Sequence, residues 1–304
     1  MKQLDTIALY QYVEHYIDTS TSRALQLYKR NRPDEDSIAF TRFQLFETMC
    51  SIPGSSDLLV QADVMYRPEA EGLFPWGVVQ MMLRVDTALN LVSVRELVQD
   101  WRPSIGDKVD SVIFKRLVGM TSESHLIFYE PGEDRTDTLL RSYSLMGERY
   151  VPDNMLTSQE SLQEGADVRF GNQVSYSFYN GSSIPKDSFF LSTPSGKTVK
   201  IDKLHADGLS GHRYFDIEPV KGTENVVLLT GKPDERGYVG SKILSLYNAS
   251  TKKLVLLGTY MHASTKAHDV SVLDGAAYIL LYDDRRNRPL LHRVDLSARK
   301  AFQM

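Results

Sequence analysis

The sequence has few of the residues that usually mark a redox, metal or exported protein. Cys50 is the only cysteine among 304 residues, so an intrachain disulfide and a thiolate-rich metal site are both excluded. The N-terminal stretch M-K-Q-L-D-T-I-A-L-Y lacks the apolar core of a signal peptide. No apolar run approaches the length of a membrane span. We therefore expect no membrane span, and a chain that is cytoplasmic as it stands or exported if a leader was removed.

Signatures of nucleic-acid binding and of catalysis are also missing. The net charge is −4 with acidic and basic residues mixed, whereas a nucleic-acid binder usually carries a basic stripe. The sequence contains no G-x-S-x-G, no H-E-x-x-H and no phosphate-binding loop. We therefore expect no nucleic-acid partner, and no catalytic residue can be named.

What the sequence does contain is a repeat. Apolar, β-prone runs end at Tyr129, Tyr179, Thr230 and Tyr282, at spacings of 50, 51 and 52 residues, and each is followed by a polar tip. A period near 50 residues is typical of some propellers, and four short antiparallel strands make one propeller blade. In the last repeat, Asp274-Gly275 predicts a hairpin turn between the first two strands.

The repeat predicts an all-β fold, a six-bladed β-propeller of four-stranded antiparallel blades, in a single domain over residues 1–304. The predicted blades cover approximately residues 1–53, 54–103, 104–155, 156–205, 206–259 and 260–304. The main alternative is a two-domain chain that is helical at its start and β after it. Residues 1–20 fit a strand or a helix, and their aromatic and β-branched content favours a strand.

An aspartate recurs where each first strand is expected. These residues are Asp5, Asp63, Asp110, Asp167, Asp216 and Asp269. First strands line the channel of a propeller, and carboxylates gathered near one axis repel unless they are paired or metal-bound. We favour the interpretation that each Asp bonds a backbone turn or the neighbouring blade. In the alternative, Asp167, Asp216 and Asp269 hold a hard cation such as Ca²⁺.

Two candidate surfaces follow from this arrangement. The channel mouth would bind a ligand through acidic, aromatic and histidine side chains, with His212 close by. The charged tips between second and third strands form either a solvated rim or an interaction surface for a protein. The predicted mouth residues are Asp167, Tyr214, Asp216, His268 and Asp269, and the predicted rim residues are Asp234, Glu235, Arg236, Arg285 and Arg286.

Two segments resemble the repeat of TolB-like propellers. They are H-L-I-F-Y-E-P-G-E-D-R-T-D-T-L-L-R-S-Y-S-L (125–145) and A-Y-I-L-L-Y-D-D-R-R-N-R-P-L-L-H-R-V-D-L (277–296). Each has an apolar strand, a charged turn and a second strand. The resemblance implies six blades and a likeness to exported bacterial proteins.

These observations predict a non-enzymatic binding module without a cofactor, which recognises a protein, a peptide or a carbohydrate on its loop face. A Ca²⁺-dependent hydrolase or lactonase that uses the channel carboxylates is the alternative. A structural subunit of a larger complex is a third hypothesis. Fold alone separates none of these, because propellers host many functions.

Overall fold

A computed structural model describes most of the chain from residue 40 onwards. Gln11 and His15 are also described, and both have helical conformation rather than the strand that we favoured there. The described ranges are 40–68, 77–98, 101–103, 110–112, 115–121, 123–131, 138–153, 161–162, 167–170, 174–177, 189–192, 198–201, 211–220, 223–236, 239–248, 251–261, 263–283 and 288–297. Within these ranges, no helix has the length and apolar character needed to cross a membrane.

The described chain is almost entirely β, as predicted, and its strands form successive antiparallel meanders that we call units. The first unit contains β1 (Phe40–Ser51), β2 (Leu58–Pro68), β3 (Gly77–Val85) and β4 (Leu91–Leu97). A small sheet of β5 (Trp101–Pro103) and β6 (Asp110–Val112) follows it. The second unit contains β7 (Arg116–Met120), β8 (Leu126–Pro131), β9 (Thr138–Met146) and β10 (Arg149–Pro152), and β11 (Ser161–Leu162) pairs with β9.

Three more units complete the described structure. The third contains β12 (Asp167–Phe170), β13 (Val174–Ser177), β14 (Phe189–Ser192) and β15 (Thr198–Ile201). The fourth contains β16 (Arg213–Pro219), β17 (Asn225–Pro233), β18 (Val239–Asn248) and β19 (Lys253–Met261). The fifth has three described strands, β20 (Ala263–Leu273), β21 (Ala276–Asp283) and β22 (Arg288–Asp295).

Short turns with left-handed residues join the strands. Asp274 and Gly275, with φ of 49° and 72°, connect β20 to β21 as predicted. Gly54 has φ of 74° in the turn between β1 and β2. The carboxylate of Asp86 accepts backbone hydrogen bonds from Ala88 (2.9 Å) and Asn90 (2.8 Å) between β3 and β4. Glycine and side-chain acceptors of this kind satisfy a tight turn locally.

The units pack face to face, and β2 shows this most directly. Val60, Ala62 and Val64 face the fifth unit, where Tyr278 and Leu280 belong to the same apolar cluster. Leu59 alternates to the other face of β2 and packs with residues of the second unit, including Phe128 and Tyr143. A strand exposes successive side chains to opposite faces. Burial on both faces accounts for the five apolar residues among residues 58–64, and it leaves the polar residues Gln61 and Asp63 buried on the face toward the second unit.

Four of the five described first strands lie side by side, in the order β16, β20, β1, β7. A third cluster, with Val227 and Leu229 of the fourth unit and Ile279 of the fifth, fills the next junction. The last described unit therefore packs directly against the first, so that units distant in sequence meet. This is a propeller-like arrangement, with five units within the described residues.

The start of the repeat differs from the prediction. The predicted boundary at residues 53 and 54 lies in the turn between β1 and β2, which are paired, because Pro53-Gly54 forms a hairpin and not a link between blades. Asp63 is consequently on a second strand, and Asp110 is on β6 outside the five units. Asp5 lies outside the described residues, and so does the end of the sixth predicted blade from residue 298 onwards.

Candidate functional site: the first strands and the loop face

The predicted mouth residues are distributed over the first strands of three units. Asp167 begins β12, while Tyr214 and Asp216 lie on β16. His268 and Asp269 lie on β20, which is next to β16. The structure therefore brings Asp216 and Asp269 to neighbouring strands.

Both of these carboxylates reach across a junction between units. Oδ2 of Asp216 accepts a short hydrogen bond from the backbone N–H of Val270 in the fifth unit. Oδ2 of Asp269 accepts one from the N–H of Met49 in the first unit, at 2.6 Å. Hydrogen bonds of this type, with an ionised acceptor, are stronger than neutral ones. Each carboxylate thus ties the inner strand of its unit to the inner strand of the next, which is the interpretation that we favoured.

The thiol of Cys50 lies in the same region. Burial raises its pKa well above the usual range, and the nearby carboxylates of Asp269 and Glu218 raise it further. A thiol with a raised pKa stays protonated at neutral pH and is a poor nucleophile. Cys50 packs against the apolar cluster that joins the first unit to the second.

The described residues do not assemble a metal site. No three His, Cys, Asp or Glu residues within the described ranges are placed so that they could hold a metal ion. Oδ2 of Asp216 and Oδ2 of Asp269 are each engaged by a backbone amide of a neighbouring unit.

A third link between units uses residues that we had not predicted. Oε1 of Gln61 accepts a hydrogen bond from the N–H of Leu117 at 2.7 Å, and its Nε2 donates to the carbonyl of Lys115 at 2.5 Å. Gln80 donates to the same carbonyl at 3.1 Å and to Asp63 at 3.2 Å. These polar side chains are almost completely buried between the first and second units. The signal was available, because a glutamine or aspartate inside an apolar strand requires a partner.

Outer strands also join the first and second units. β10 pairs with β4 in parallel through Arg149 and Tyr150. Two ion pairs cross this seam, Arg95 with Glu148 at 2.6 Å and Arg149 with Glu96 at 3.0 Å. Inside it, Nζ of Lys115 donates to the carbonyl of Val98 at 2.7 Å. This junction is therefore held at its inner and outer edges.

One group in the second unit combines the residue types of a catalytic triad. Nδ1 of His125 lies 2.7 Å from Oδ2 of Asp153, and the hydroxyl of Ser142 donates to Oδ1 of the same carboxylate. In a hydrolytic triad the imidazole stands between the hydroxyl and the carboxylate, whereas here the carboxylate stands in the middle. The group ties the residues next to the start of β8 and the end of β10 to the middle of β9, and its imidazole is not placed to activate Ser142.

The rim prediction can be followed in the fourth unit. Asp234, Glu235 and Arg236 are exposed in the turn that follows β17, and Oδ1 of Asp234 accepts a hydrogen bond from the N–H of Arg236 at 2.8 Å. The start of β16 is beside this turn, because Arg213 pairs with Gly231. The charged turn and the start of the first strand are therefore at the same end of this unit. Arg285 and Arg286 lie outside the described residues.

His212 is at that same end, directly before β16. Its Nδ1 is buried without a hydrogen-bond partner. Lys232 passes close by, since a Cβ at Gly211 would lie 3.9 Å from Cε of Lys232. This end of the fourth unit therefore carries the side chains of His212 and Lys232 beside the charged turn.

Comparisons with known proteins identify no family. No protein-family model matches the sequence, and no curated protein matches it significantly. Similar solved structures include a puromycin-hydrolyzing peptidase of Mycobacterium tuberculosis, at 14% identity and a TM-score of 0.30 over 86% of this chain and 39% of the peptidase. Another is Sqt1 of Saccharomyces cerevisiae, at 8% identity and a TM-score of 0.28 over 85% of this chain and 87% of Sqt1. A third is the periplasmic gluconolactonase PpgL of Pseudomonas aeruginosa, at 9% identity and a TM-score of 0.25 over 82% of this chain and 85% of PpgL. This chain spans well under half of the peptidase, and similarities this low assign neither an activity nor a partner.

Proposed function

We propose that the chain is a non-enzymatic, propeller-like binding module that recognises a protein over its loop face. The observation that carries this proposal is that its acidic residues fall into two groups, one bonded between units and one exposed. Asp216 and Asp269 are used to join the first strands, whereas Asp234 and Glu235 are exposed at the loop end of the fourth unit. Charges on an exposed rim steer association and set specificity.

The test is a comparison of captured proteins between two purified baits. The rim variant combines Asp234→Lys, Glu235→Lys, Arg285→Glu and Arg286→Glu. The control variant combines Glu123→Lys and Lys253→Glu. Both charges are exposed at the ends of the strands opposite the rim, Glu123 in the turn before β8 and Lys253 at the start of β19. We expect a partner that the natural chain and the control variant both capture and that the rim variant loses by at least tenfold.

Equal capture by all three baits would contradict the proposal, provided that the rim variant has the natural circular dichroism spectrum and melting temperature. Increasing salt should weaken the specific capture, because exposed charges are screened over about 8–10 Å at physiological ionic strength.

The Ca²⁺-dependent hydrolase or lactonase makes a different prediction. A ligand that binds only the folded chain raises stability by mass action, by roughly 2.7 kcal/mol at a hundred times its dissociation constant. Thermal melts with millimolar CaCl₂ and with EDTA therefore separate the two hypotheses. A clear upward shift in CaCl₂ would favour the enzyme over the binding module.

A further inference from the structure

We propose that Lys115 is a latch that couples the inner and outer edges of the junction between the first and second units, so that both edges open in one step. Lys115 directly precedes β7 and is 1% exposed. At the inner edge its backbone carbonyl accepts hydrogen bonds from Nε2 of Gln61 at 2.5 Å and Nε2 of Gln80 at 3.1 Å. At the outer edge, where β10 pairs with β4, its Nζ donates to the carbonyl of Val98 at 2.7 Å. One residue of the second unit therefore contacts the first unit at both edges.

Val98, which directly follows β4, is held twice by the second unit. Its N–H donates to the carbonyl of Tyr150 at 2.9 Å, and its own carbonyl accepts from Nζ of Lys115. Tyr150 belongs to β10, which is in the same sheet as β7. As long as this sheet stays intact, Val98 cannot move away from β10 without also moving away from Lys115.

Tyr143 of β9 supports the Lys115 side chain from within the second unit. Nζ of Lys115 lies 5.4 Å from the centre of the Tyr143 ring, within the range of a cation–π contact. The ring is itself fixed, because its hydroxyl donates to Oε1 of Glu130 and its centroid lies 5.1 Å from that of Phe128, edge to face. Tyr143, Glu130 and Phe128 are fully buried. Lys115 thus reaches Val98 from a packed support.

The inner edge depends on the same part of the chain. Two residues after Lys115, the N–H of Leu117 donates to Oε1 of Gln61 at 2.7 Å. A displacement of the start of β7 that breaks this bond also draws Lys115 away from Val98. Gln61 and Lys115 are almost completely buried, and a buried polar group that loses a hydrogen bond costs free energy. Opening of one edge while the other stays closed is therefore disfavoured.

Native-state amide hydrogen exchange, measured by NMR on the full chain at increasing urea, tests the proposal. The Val98 amide reports on the outer edge and the Leu117 amide on the inner edge. Lys115→Met keeps the length of the side chain and removes the donor. We expect exchange at Val98 to accelerate at least about tenfold more than at Leu117, the effect of losing a strong side-chain hydrogen bond. Lys253→Met, the same change at an exposed lysine that begins β19, should leave both amides unchanged.

Two results in Lys115→Met would overturn the proposal. Equal acceleration of both amides would mean that Lys115 only stabilises the fold, and unchanged exchange at Val98 would mean that Lys115 does not hold the outer edge. If Lys115→Met does not fold, the natural chain decides. The same dependence on urea at Val98 and Leu117 supports a single opening, whereas different dependences would mean that the two edges open separately and would overturn the proposal.

Discussion

His292 and Tyr260 illustrate how a single side chain at a junction couples stability to pH. Their rings meet edge to face, with centroids 5.5 Å apart, where β22 of the fifth unit packs against β19 of the fourth. Nε2 of His292 is buried without a hydrogen-bond partner. Burial lowers the pKa of His292 and raises that of Tyr260 to about 12. Both groups are therefore kept neutral in the folded chain.

We predict that His292→Phe removes part of the acid sensitivity of the fold. Because the folded pKa is below the usual 6.5, the unfolded chain takes up a proton that the folded chain refuses, and stability falls as pH falls below 6.5. Phenylalanine keeps the ring contact and cannot be protonated. Between pH 6.5 and 5.5 the free energy of unfolding of the natural chain should fall by roughly 0.5 kcal/mol more than that of the variant. The difference is small because the His292 side chain is partly exposed. Urea unfolding at both pH values measures this, and parallel losses would disprove it.

At this scale the favoured role fits Asp216 and Asp269, which bond the neighbouring unit, whereas only some of the predicted positions were right. The sequence placed Asp167, Asp216 and Asp269 on first strands, because the repeat spacing is local and regular. It did not predict that Gln61 accepts the N–H of Leu117, since that depends on which amide the neighbouring unit presents. A bond between strands distant in sequence cannot be read from either strand alone.

The turn between β20 and β21 is an element whose sequence dictates its geometry. Asp274 and Gly275 both have positive φ, the pattern of the two-residue hairpin turn whose twist matches that of the flanking strands. A Cβ on Gly275 would meet nothing within 4 Å. A larger residue at position 275 is therefore disfavoured by the backbone conformation and not by a steric clash.

We predict that Gly275→Ala destabilises the fold by about 1–2 kcal/mol, the cost of a non-glycine residue in the left-handed region. Gly119→Ala is the matched control, because that glycine also has open space around its Cβ and lacks a positive φ. Urea unfolding should show the loss for Gly275→Ala and little change for Gly119→Ala. Equal effects would mean that φ is not the cause.

The hairpin at Asp274-Gly275 was predicted correctly from its turn signal. The boundary of the first blade was predicted wrongly, because its turn has two interpretations. Pro53-Gly54 fits a hairpin as well as a link between blades. We chose the link because it kept the period of about 50 residues. The structure pairs β1 with β2 instead, and β2 is buried on both faces, between the fifth unit and the second. Burial on two faces is a tertiary requirement that spacing does not reveal.

The molecule as a whole is organised by the contact between its fifth and first units. Leu280 and Tyr278 are fully buried in one cluster with Val60 and Met81. The hydroxyl of Tyr278 also donates to the carbonyl of Thr87 at 3.3 Å. Units distant in sequence therefore share one core, and the loss of either should loosen the other.

We predict that Leu280→Ala costs about 2–5 kcal/mol, the range for a large-to-small change in a packed core, and that the loss spreads across the junction. Hydrogen exchange followed by mass spectrometry should show faster exchange in β2 as well as in β20 and β21, because both sides of the cluster lose the same contacts. Val92→Ala is the control, since Val92 is 52% exposed and its truncation should change neither region. Faster exchange confined to β20, β21 and β22 would mean that the fifth unit opens on its own. In that case the junction would be a contact between independent units and not part of one cooperative ring.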